Sequence, residues 1–513
     1  MKKRLRILVV VCALVLSLGM SYGSAKAEPK SGGILKIVVG GTYNNAGYPV
    51  GAAGQGKWLS LPAVESLGRY GEDGQPEGWL AREIISDPEN LQITLKLREG
   101  VRFHDGTAFN ASAVCEVWKL YLENGNGTNF FTSVDSYEPV DEYTVVIKLN
   151  TWSTSIVSSL CIECGYMISP TEYRKVGLEN INTDICGTGP FKMKSYDVTS
   201  GITFVRNDDY WQDDKPYLDG IEMIFCNDNT TAENIFKSGE ANMLYLLTAE
   251  QAYRLEKEGI ELVYNPSCLS PTHTGIFFAS GNQDDPISNL QVRKAFCHAI
   301  DKQALVDAFT YGLGTISSQI AVPGTKEYNA DVIGYEYDPA KAKEMLKDAG
   351  YGEGECTITF YYQPSEEDMY VAIKGMLEKA GFAVVGDTRT GTENRIIYGT
   401  SDPYTCCTIF YAPTTIENWY RYFSANPFTY AVNTIDMAAA GIVETYEKCV
   451  TALTAEEQHE AMMSLQVLVT DNCLYCPLYS TPVLIMATDG TVHDHELGEI
   501  WHLEWRPENT WMD

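Results

Sequence analysis

Residues 91–107 read LQITLKLREGVRFHDGT, and this stretch decides how the rest of the chain is interpreted. Apolar side chains at the odd positions from Leu91 to Leu97 alternate with polar ones, which is the two-residue period of a half-buried β-strand. Glu99-Gly100 predicts a turn, because glycine adopts a positive φ at little steric cost. A second short run, Val101–His104, ends at the turn dipeptide Asp105-Gly106. The pattern predicts a hairpin at the edge of a sheet, without an obvious catalytic group.

Length and charge limit the classes of function. The chain has 513 residues and a formal net charge of −30. That length predicts about three domains. Removing residues 1–27, which carry five basic and no acidic side chains, leaves about −35. An acidic body of this kind repels phosphate backbones and anionic membrane surfaces, so no nucleic-acid partner is expected.

The first 27 residues have the three parts of a secretory signal peptide. Lys2 to Arg6 form the basic start, and Ile7–Met20 is an apolar run too short for a typical membrane span. Ala25-Lys26-Ala27 is a cleavage motif that places the mature start near Glu28. A lipid anchor at Cys12 is disfavoured, because no small residue precedes it. We therefore expect secretion across the inner membrane and a soluble protein on the periplasmic or extracellular face.

Thirteen of the fourteen cysteines remain after this cleavage. Two C-x-x-C pairs, Cys161/Cys164 and Cys473/Cys476, lie about 300 residues apart, which is not the spacing of a zinc ribbon. Neither pair opens a thioredoxin-like unit. Buried thiols are favoured over a disulfide framework, and the sequence leaves the pairing open.

The start of the mature chain predicts a buried strand at Ile34–Val39, ended by Gly40-Gly41. Ligands tend to lie at the carboxyl ends of strands in open α/β sheets. The residues that follow, Tyr43, Asn44 and Asn45, are therefore candidate ligand contacts. The next stretch, residues 51–57, fits a phosphate-loop pattern, but Trp58 occupies the place of the required Ser or Thr. Nucleotide binding is not expected.

Local signals also predict several helices and one more strand. The segment Asn110–Leu122 is a helix capped by Asn110, and Tyr143–Leu149 is a strand. The helix that begins at Asp338-Pro339 ends at Gly350. Three further helix starts have capping boxes, namely Thr230-x-x-Glu233, Thr248-x-x-Gln251 and Thr454-x-x-Glu457.

Three blocks of sequence occur in a fixed order. The first is Leu-Arg-x-Gly-Val-x-Phe-His-Asp-Gly at residues 97–106, and the second runs from Cys186-Gly-Thr-Gly-Pro-Phe to Asn-Asp-Asp-Tyr-Trp at 207–211. The third is the Val-Arg-x-Ala-x-x-x-Ala-Ile-Asp helix at 292–301 with the segment 337–346 after it. In this order, behind a signal peptide, the chain resembles the family 5 extracellular solute-binding proteins. Those are capture subunits of ABC importers for oligopeptides, dipeptides, nickel complexes and related solutes.

The resemblance implies an α/β fold of the two-lobed periplasmic-binding-protein type (type II). Lobe 1 would comprise residues 28–60, 183–275 and 481–513, with an extra small domain at 61–182, and lobe 2 would comprise 276–480. Two crossover strands, near Thr274-Gly275-Ile276 and near Ser480-Thr481, would form the hinge. Closure buries the solute and strengthens polar contacts by excluding water.

The resemblance also implies a binding function rather than catalysis. A solute, with a peptide or peptide-like molecule favoured, would be captured between the lobes and delivered unaltered to a permease and ATPase complex. The chain would be a monomer without a cofactor. A nickel complex or a sugar is the alternative within the family, and a solute sensor for a membrane receptor would share the fold. A secreted hydrolase is disfavoured, because the single G-x-S-x-G lies at residues 19–23, inside the signal peptide.

Candidate ligand residues follow from the same resemblance. The family's peptide binders pair an acidic side chain with the peptide ammonium, and Glu417 is the acid nearest to the matching segment, residues 410–419. An ammonium buried without a partner costs several kcal/mol. The other candidates are aromatic or polar residues in stretches that the family places near the cleft: Trp58, Tyr245, His273, Tyr404, Phe410, Tyr411, Thr414, Trp419 and Tyr420.

A metal site is the weaker alternative. His493, His495 and His502 lie within ten residues, in a chain with seven histidines. A His-x-His pair on a strand would place both imidazoles on one face, where they could hold nickel or zinc. The acidic residues around them describe a polar loop equally well, so no metal is expected.

Overall fold

The structure is a computed structural model of the chain. It describes residues 28–40, 46–47, 50, 58–71, 75–124, 128–162, 164–181, 184–264, 272–280, 284–389, 405–412, 440–482, 484–496 and 505–513. Among these residues, no helix is both long enough and apolar enough to cross a membrane.

The described strands, in chain order, are β1 Ile34–Gly40, β2 Glu65–Ser66, β3 Gly68–Tyr70, β4 Pro76–Gly78, β5 Ala81–Asp87, β6 Gln92–Leu97, β7 Val134–Asp141, β8 Thr144–Leu149, β9 Tyr166–Met167, β10 Phe191–Asp197, β11 Gly201–Arg206, β12 Gly220–Cys226, β13 Met243–Tyr245, β14 Glu261–Val263, β15 Thr272–Ser280, β16 Thr315–Ile316, β17 Cys356–Tyr362, β18 Phe382–Thr388, β19 Thr405–Ala412, β20 Tyr475–Thr481, β21 Met486–Thr488, β22 Val492–His493 and β23 Trp511–Met512.

The described helices are α1 Ala111–Glu123, α2 Thr128–Thr132, α3 Ser155–Ile162, α4 Pro170–Ile181, α5 Asn229–Lys237, α6 Ala249–Lys257, α7 Leu290–Ala299, α8 Lys302–Phe309, α9 Pro339–Asp348, α10 Glu367–Lys379, α11 Ile442–Thr451 and α12 Ala455–Asp471.

The first large sheet has seven strands in the order β10-β11-β12-β1-β13-β21-β14. The apolar run that predicted β1 fits an inner strand, which pairs in parallel with β12 and β13. Both of its faces are covered. Leu35 and Val39 pack in the cluster shared with the small domain, and Val38 packs with residues of α5 and α6. A strand buried on both sides has no polar alternation, so the prediction of a buried strand is confirmed.

The second large sheet has six strands in the order β16-β20-β15-β19-β17-β18. Strand β17 is parallel to β18 and β19, whereas β15 is antiparallel to both of its neighbours. One face is covered by α7, α9 and α10 and the other by α11 and α12, each with its own apolar cluster. The predicted apolar face of α7 is confirmed, since Val292, Phe296, Ala299 and Ile300 are all buried.

The chain passes between the two large sheets twice, between Val263 and Thr272 and again between Thr481 and Met486. The hinge residues predicted from the sequence lie beside these links. Thr274, Gly275 and Ile276 are inside β15, and Ser480 and Thr481 end β20. A Cβ on Gly275 would lie 2.2 Å from the ring of Tyr475. Glycine is therefore required there by the packing of that ring.

Between β1 and β10 a four-stranded sheet, β5-β6-β8-β7, forms the centre of a small domain. The predicted strand at 91–97 is β6, and the predicted strand at 143–149 is β8. The prediction of an edge hairpin is wrong, because β6 lies between β5 and β8. Residues 101–104 form no strand. Arg102 makes an isolated bridge with Ala108 instead, and Gly100 has the expected positive φ of 79°.

Most of the predicted helix caps are confirmed. The Asn110 carboxamide accepts from the Ala113 N–H at 3.0 Å, and Thr248 and Gln251 form a complete capping box. Thr454 and Asp338 also cap their helices, α12 and α9. The box at Thr230 is wrong, because Asp228 lies two residues earlier and its carboxylate accepts from the Thr231 N–H at 2.7 Å.

The buried carboxylate of Glu65 joins segments that are far apart in the sequence. One oxygen accepts from Trp79 Nε1 at 2.9 Å and from the Tyr210 hydroxyl at 2.8 Å, and the other accepts from Thr188 Oγ1 at 2.7 Å. Trp211 Nε1 lies 3.1 Å from both oxygens. Four donors around one carboxylate hold the second sequence block, residues 186–211, against the segment that begins the small domain.

Glu65→Gln is expected to lower the free energy of unfolding by about 2–3 kcal/mol, because the new amide N–H group faces donors and leaves them unpaired. Urea unfolding measures the loss, and Glu99→Gln on the exposed turn is the matched control. Equal stability of the two variants would show that the Glu65 network does not hold these segments together.

Candidate functional site

The first wall of the candidate site lies where the parallel strands β1, β12 and β13 end. Carboxyl ends of parallel strands share one edge of a sheet, and ligands of open α/β folds bind there. Tyr245 is the last residue of β13, and the indole of Trp58 stacks on it with ring centroids 3.8 Å apart and 21° between the planes. The structure thus brings together two ligand candidates that are distant in the sequence.

Trp58 carries an unused donor at this edge. Its side chain is 2% exposed, and Nε1 has no hydrogen-bond partner among the residues that the structure describes. An N–H group buried without an acceptor costs about 1–3 kcal/mol. A ligand that places a carbonyl or carboxylate oxygen against Trp58 removes that cost. The stacked rings, both buried, and the indole N–H together form the Trp58–Tyr245 platform, which combines an apolar surface with one hydrogen-bond donor.

The second wall is marked by His273 in β15. This residue pairs with Ala412, the last residue of β19, and with Ser480 near the end of β20. It therefore lies at the edge where those two strands end. The imidazole is fully buried, with its centroid 5.3 Å from that of Tyr475. Within the described part of the chain neither ring nitrogen makes a hydrogen bond of standard geometry, and the backbone of Ile320 is a weaker polar contact.

Burial lowers the pKa of His273 to about 3; Lys302 acts in the same direction, and the backbone of Ile320 opposes the shift. The ring is consequently neutral at physiological pH. A neutral imidazole offers one donor and one acceptor. It can therefore pair with both the carbonyl oxygen and the N–H of an amide group, whereas it has no charge to attract an anion or an organic cation.

Sequence patterns did not single out two other buried polar side chains of this lobe. The Gln466 carboxamide on α12 and the Ser317 hydroxyl also lack hydrogen-bond partners among the described residues. Gln466 follows Leu465 and precedes Val467 and Leu468, and a glutamine within such an apolar helical run is the sequence signal that could have selected it. In the structure its side chain is fully buried.

Many sequence-predicted contacts cannot be placed. Tyr43, Asn44, Asn45, Tyr404, Thr414, Glu417, Trp419 and Tyr420 lie outside the described residues, as does His502. Phe410 and Tyr411 belong to β19, of which only the backbone is described.

A set of hydrogen bonds, here called the bridge, joins the small domain to the second lobe. Trp152 Nε1 donates to the carbonyl of Ala452 at 3.1 Å, and the Thr154 N–H donates to the carbonyl of Val450 at 2.9 Å. Both acceptors belong to the last turn of α11, where a helix leaves its carbonyls without internal partners. Gln458 adds a third bond, from Nε2 to Thr154 Oγ1 at 2.8 Å. The small domain therefore caps a helix of the opposite lobe.

His493 and His495, the two described histidines near the carboxyl terminus, do not form the pair on one strand face that the sequence suggested. Strand β22 ends at His493, and Asp494 has a φ of 50°, so His493 and His495 do not share the face of one strand. His493 stacks on Trp511 and lies 3.2 Å from Asp513 Oδ2. Burial lowers the pKa of His495 to about 4. The described residues contain no cluster of three or more metal-ligating side chains.

A separate cavity of about 60 Å³ is lined by two carboxyl groups whose pKa is raised by burial. It is lined by Glu65, Glu508, Arg69 and Trp79, among others. A volume of that size corresponds to about two water molecules, so it is too small for a peptide. Burial raises the pKa of Glu508 to about 7, Glu65 raises it further, and Arg69 and Arg506 act against the shift. This cavity is part of the scaffold.

Glu508 is expected to make the protein less stable as the pH rises. Its carboxyl has a higher pKa folded than unfolded, so its contribution is complete below about pH 4.5 and is lost as the pH rises through about 7. The difference in unfolding free energy between the wild type and Glu508→Gln should change by up to about 3 kcal/mol between pH 4 and pH 8.

Urea unfolding at several pH values measures that difference. The free energy of unfolding of the wild type should fall relative to that of the variant as the pH rises. Parallel curves for the two proteins would contradict a raised pKa at Glu508.

The sequence and the fold of this chain are similar to those of known solute-binding proteins. Residues 75–402 match the model of bacterial extracellular solute-binding proteins, family 5 Middle. The glutathione-binding protein GsiB of Pectobacterium atrosepticum is 35% identical over 283 residues, which are 54% of this chain and 52% of that protein. The chain thus matches about half the length of the curated relatives.

Solved structures show the same fold with different cargo. A periplasmic binding protein DppA from Helicobacter pylori in complex with the peptide STSA has a TM-score of 0.74 at 20% identity, covering 94% of this chain and 98% of that one. NikA from Brucella suis in complex with Fe(III)-EDTA has a TM-score of 0.79 at 19% identity, covering 92% and 100%. The predicted two-lobed α/β fold of the periplasmic-binding-protein type is confirmed.

Proposed function

This chain belongs to the family 5 bacterial extracellular solute-binding proteins, and on that premise we propose that it captures a short peptide between two lobes and releases it unaltered to an ABC permease. The observation that carries the proposal is the Trp58–Tyr245 platform with its unused indole donor, at the edge where the strands of the first lobe end. A solute acceptor at Trp58 completes a hydrogen bond that none of the described residues makes.

The proposed lobes are those derived from the sequence, with residues 28–60, 183–275 and 481–513 in lobe 1, 61–182 in the small domain and 276–480 in lobe 2. Two links between the large sheets, on either side of β15 and β20, support a hinge at these positions. The bridge from Trp152 and Thr154 to α11 supports a closed arrangement, because it joins the small domain directly to the second lobe.

The proposed solute is a peptide of about the size of glutathione. The name of the relative from Pectobacterium, a glutathione-binding protein, supports that size. The neutral imidazole of His273 supports a peptide group, because its donor and acceptor match those of an amide. The remaining contacts are proposed in the segments 41–45 and 404–420, with Glu417 as the partner of the peptide ammonium. Nickel complexes and sugars remain the competing cargo within the family.

Mass spectrometry of the solute released by denaturing the purified protein tests the proposal most directly. Thermal-shift titrations with glutathione, tripeptides, sugars and a nickel–histidine complex then rank the candidates, because a ligand that binds only the folded form raises the Tm. A shift with a peptide supports the proposal. A shift only with sugars or the nickel complex, or chemical conversion of the bound solute, would overturn it.

Trp58→Phe is expected to weaken solute binding about tenfold, since the ring stack remains and one buried hydrogen bond is lost. Isothermal titration calorimetry measures the affinity. Trp118→Phe is the matched control, because its Nε1 donates at 2.8 Å to the carbonyl of Cys164 inside the small domain. The control should lower stability without changing affinity; an unchanged Kd for Trp58→Phe would remove Trp58 from the site.

Trp152→Phe is expected to weaken solute binding about fivefold, because the closed arrangement loses one bridging hydrogen bond and closure becomes less favourable. Small-angle scattering with solute present should show a larger fraction of open molecules. Trp505→Phe, which loses only a bond to Thr510 within the carboxyl-terminal segment, is the control. Identical affinity for both variants would mean that the bridge does not contribute to closure.

A further inference from the structure

Three cysteines from distant parts of the sequence meet in the core of the second lobe. Cys297 is on α7, Cys473 is in the turn before β20, and Cys476 is on β20. All three are fully buried, and Cys297 Sγ lies 3.4 Å from Cys473 Sγ. The C-x-x-C spacing at 473–476 had no recognisable context in the sequence. Its partner is Cys297, which lies 176 residues before Cys473.

The backbone around the pair is fixed by Arg293, one helical turn before Cys297. Its buried guanidinium donates through Nε to the carbonyl of Cys473 at 3.1 Å and through Nη2 to that of Asn472 at 3.2 Å. Nη1 donates to the carbonyl of Ser288 at 2.8 Å. Cys473 itself adopts a left-handed φ of 45°. The clamp thus holds the turn, and with it the Cys473 sulfur, against the same face of α7 that carries Cys297.

We propose that Cys297 and Cys473 are joined by a disulfide in the exported protein, with Cys476 remaining a thiol. A disulfide bond is about 2.05 Å long, so the two sulfurs, 3.4 Å apart in the structure, need to approach each other by only about 1 Å. Oxidising compartments outside the cytoplasm form and keep such bonds. The inference rests on the proposed export only for the source of the oxidant.

The bond forms by thiol–disulfide exchange with an oxidant that is itself a disulfide, either a thiol oxidoreductase or glutathione disulfide. One cysteine thiolate attacks a sulfur of the oxidant, which gives a mixed disulfide and expels a thiol. The second cysteine thiolate attacks the protein sulfur of that mixed disulfide and expels the other thiol. The protein loses two protons and two electrons in total, and the oxidant gains them as two thiols.

Exchange takes place before the core of the lobe closes, because the folded protein buries both sulfurs completely. Burial raises the pKa of the Cys297 thiol, whereas burial is outweighed at Cys473, where the Cys297 thiol, Arg293 and Tyr335 lower the pKa. The barrier after folding is therefore the exclusion of the oxidant from the core and not the absence of a thiolate. Protein folded in the reduced state therefore oxidises slowly, whereas protein refolded in the presence of an oxidant acquires the bond. This difference in rate separates a built-in cross-link from adventitious surface oxidation.

The test compares full-length mature protein refolded with glutathione disulfide, refolded under reduction, and taken from the extracytoplasmic fraction with its thiols blocked at harvest. Combined digestion with trypsin and chymotrypsin cuts after Lys294 and Tyr475, so Cys297, Cys473 and Cys476 fall on separate peptides. Mass spectrometry without reduction should find the Cys297 peptide linked to the Cys473 peptide in the first and third samples. The oxidised protein should melt about 5 °C above the reduced one.

Cys476→Ser should keep the link and Cys297→Ser should abolish it, with Cys226→Ser in the other large sheet as the control. Alkylated thiols at both positions in the first and third samples, or a link that uses Cys476, would overturn the proposal. Differential alkylation of the wild type decides the matter even if Cys297→Ser fails to fold. Solute affinity, measured on the same samples, tests the proposed function separately, because the cross-link lies within one lobe.

Discussion

One buried carboxylate organises the first half of this molecule. Glu65 lies in an environment that raises its pKa by burial, and donors from Thr188, Tyr210, Trp211 and Trp79 act against that shift. A carboxylate removed from water is tolerated only when its lone pairs are satisfied. The need to satisfy Glu65 therefore fixes where residues 186–211 return to the first sheet.

Arg293 has the equivalent role in the second lobe. A fully buried guanidinium has five donors to satisfy, and backbone carbonyls of two separate turns accept from it. Arg293 belongs to the third sequence block that carries the family resemblance, and three of the four donors to Glu65 belong to the second block. The motifs that identify the family thus hold the scaffold together, and they carry little information about the cargo.

Features that depend on local sequence were predictable. The alternation at 91–97, the cap at Asn110 and the apolar face of α7 each depend on neighbours within one or two turns, and the structure has all three. Features that depend on distant partners were not. The pairing of β6 with β5 moved it from the edge to the interior of its sheet. A stronger nearby cap, Asp228, displaced Thr230.

The candidate site shows the same division. Trp58, Tyr245 and His273 could be selected as aromatic or polar residues in stretches that the family resemblance places near the cleft. The stacking of the first two, and the indole N–H of Trp58 that no described residue accepts, require coordinates. The contacts of Trp152 and Thr154 with α11 carry no sequence signal at all, because their acceptors are backbone carbonyls.

That last property has an evolutionary consequence. Every residue type has a main-chain oxygen, so Val450 and Ala452 can drift in sequence without losing the two bonds that join the small domain to α11. Among these two bonds only Trp152 supplies a side chain, so α11 can change its side chains. The third bond of the bridge differs, because it requires the side chains of both Thr154 and Gln458. Paralogues that bind different solutes can therefore keep these hydrogen bonds to α11 while the side chains that line the cleft change.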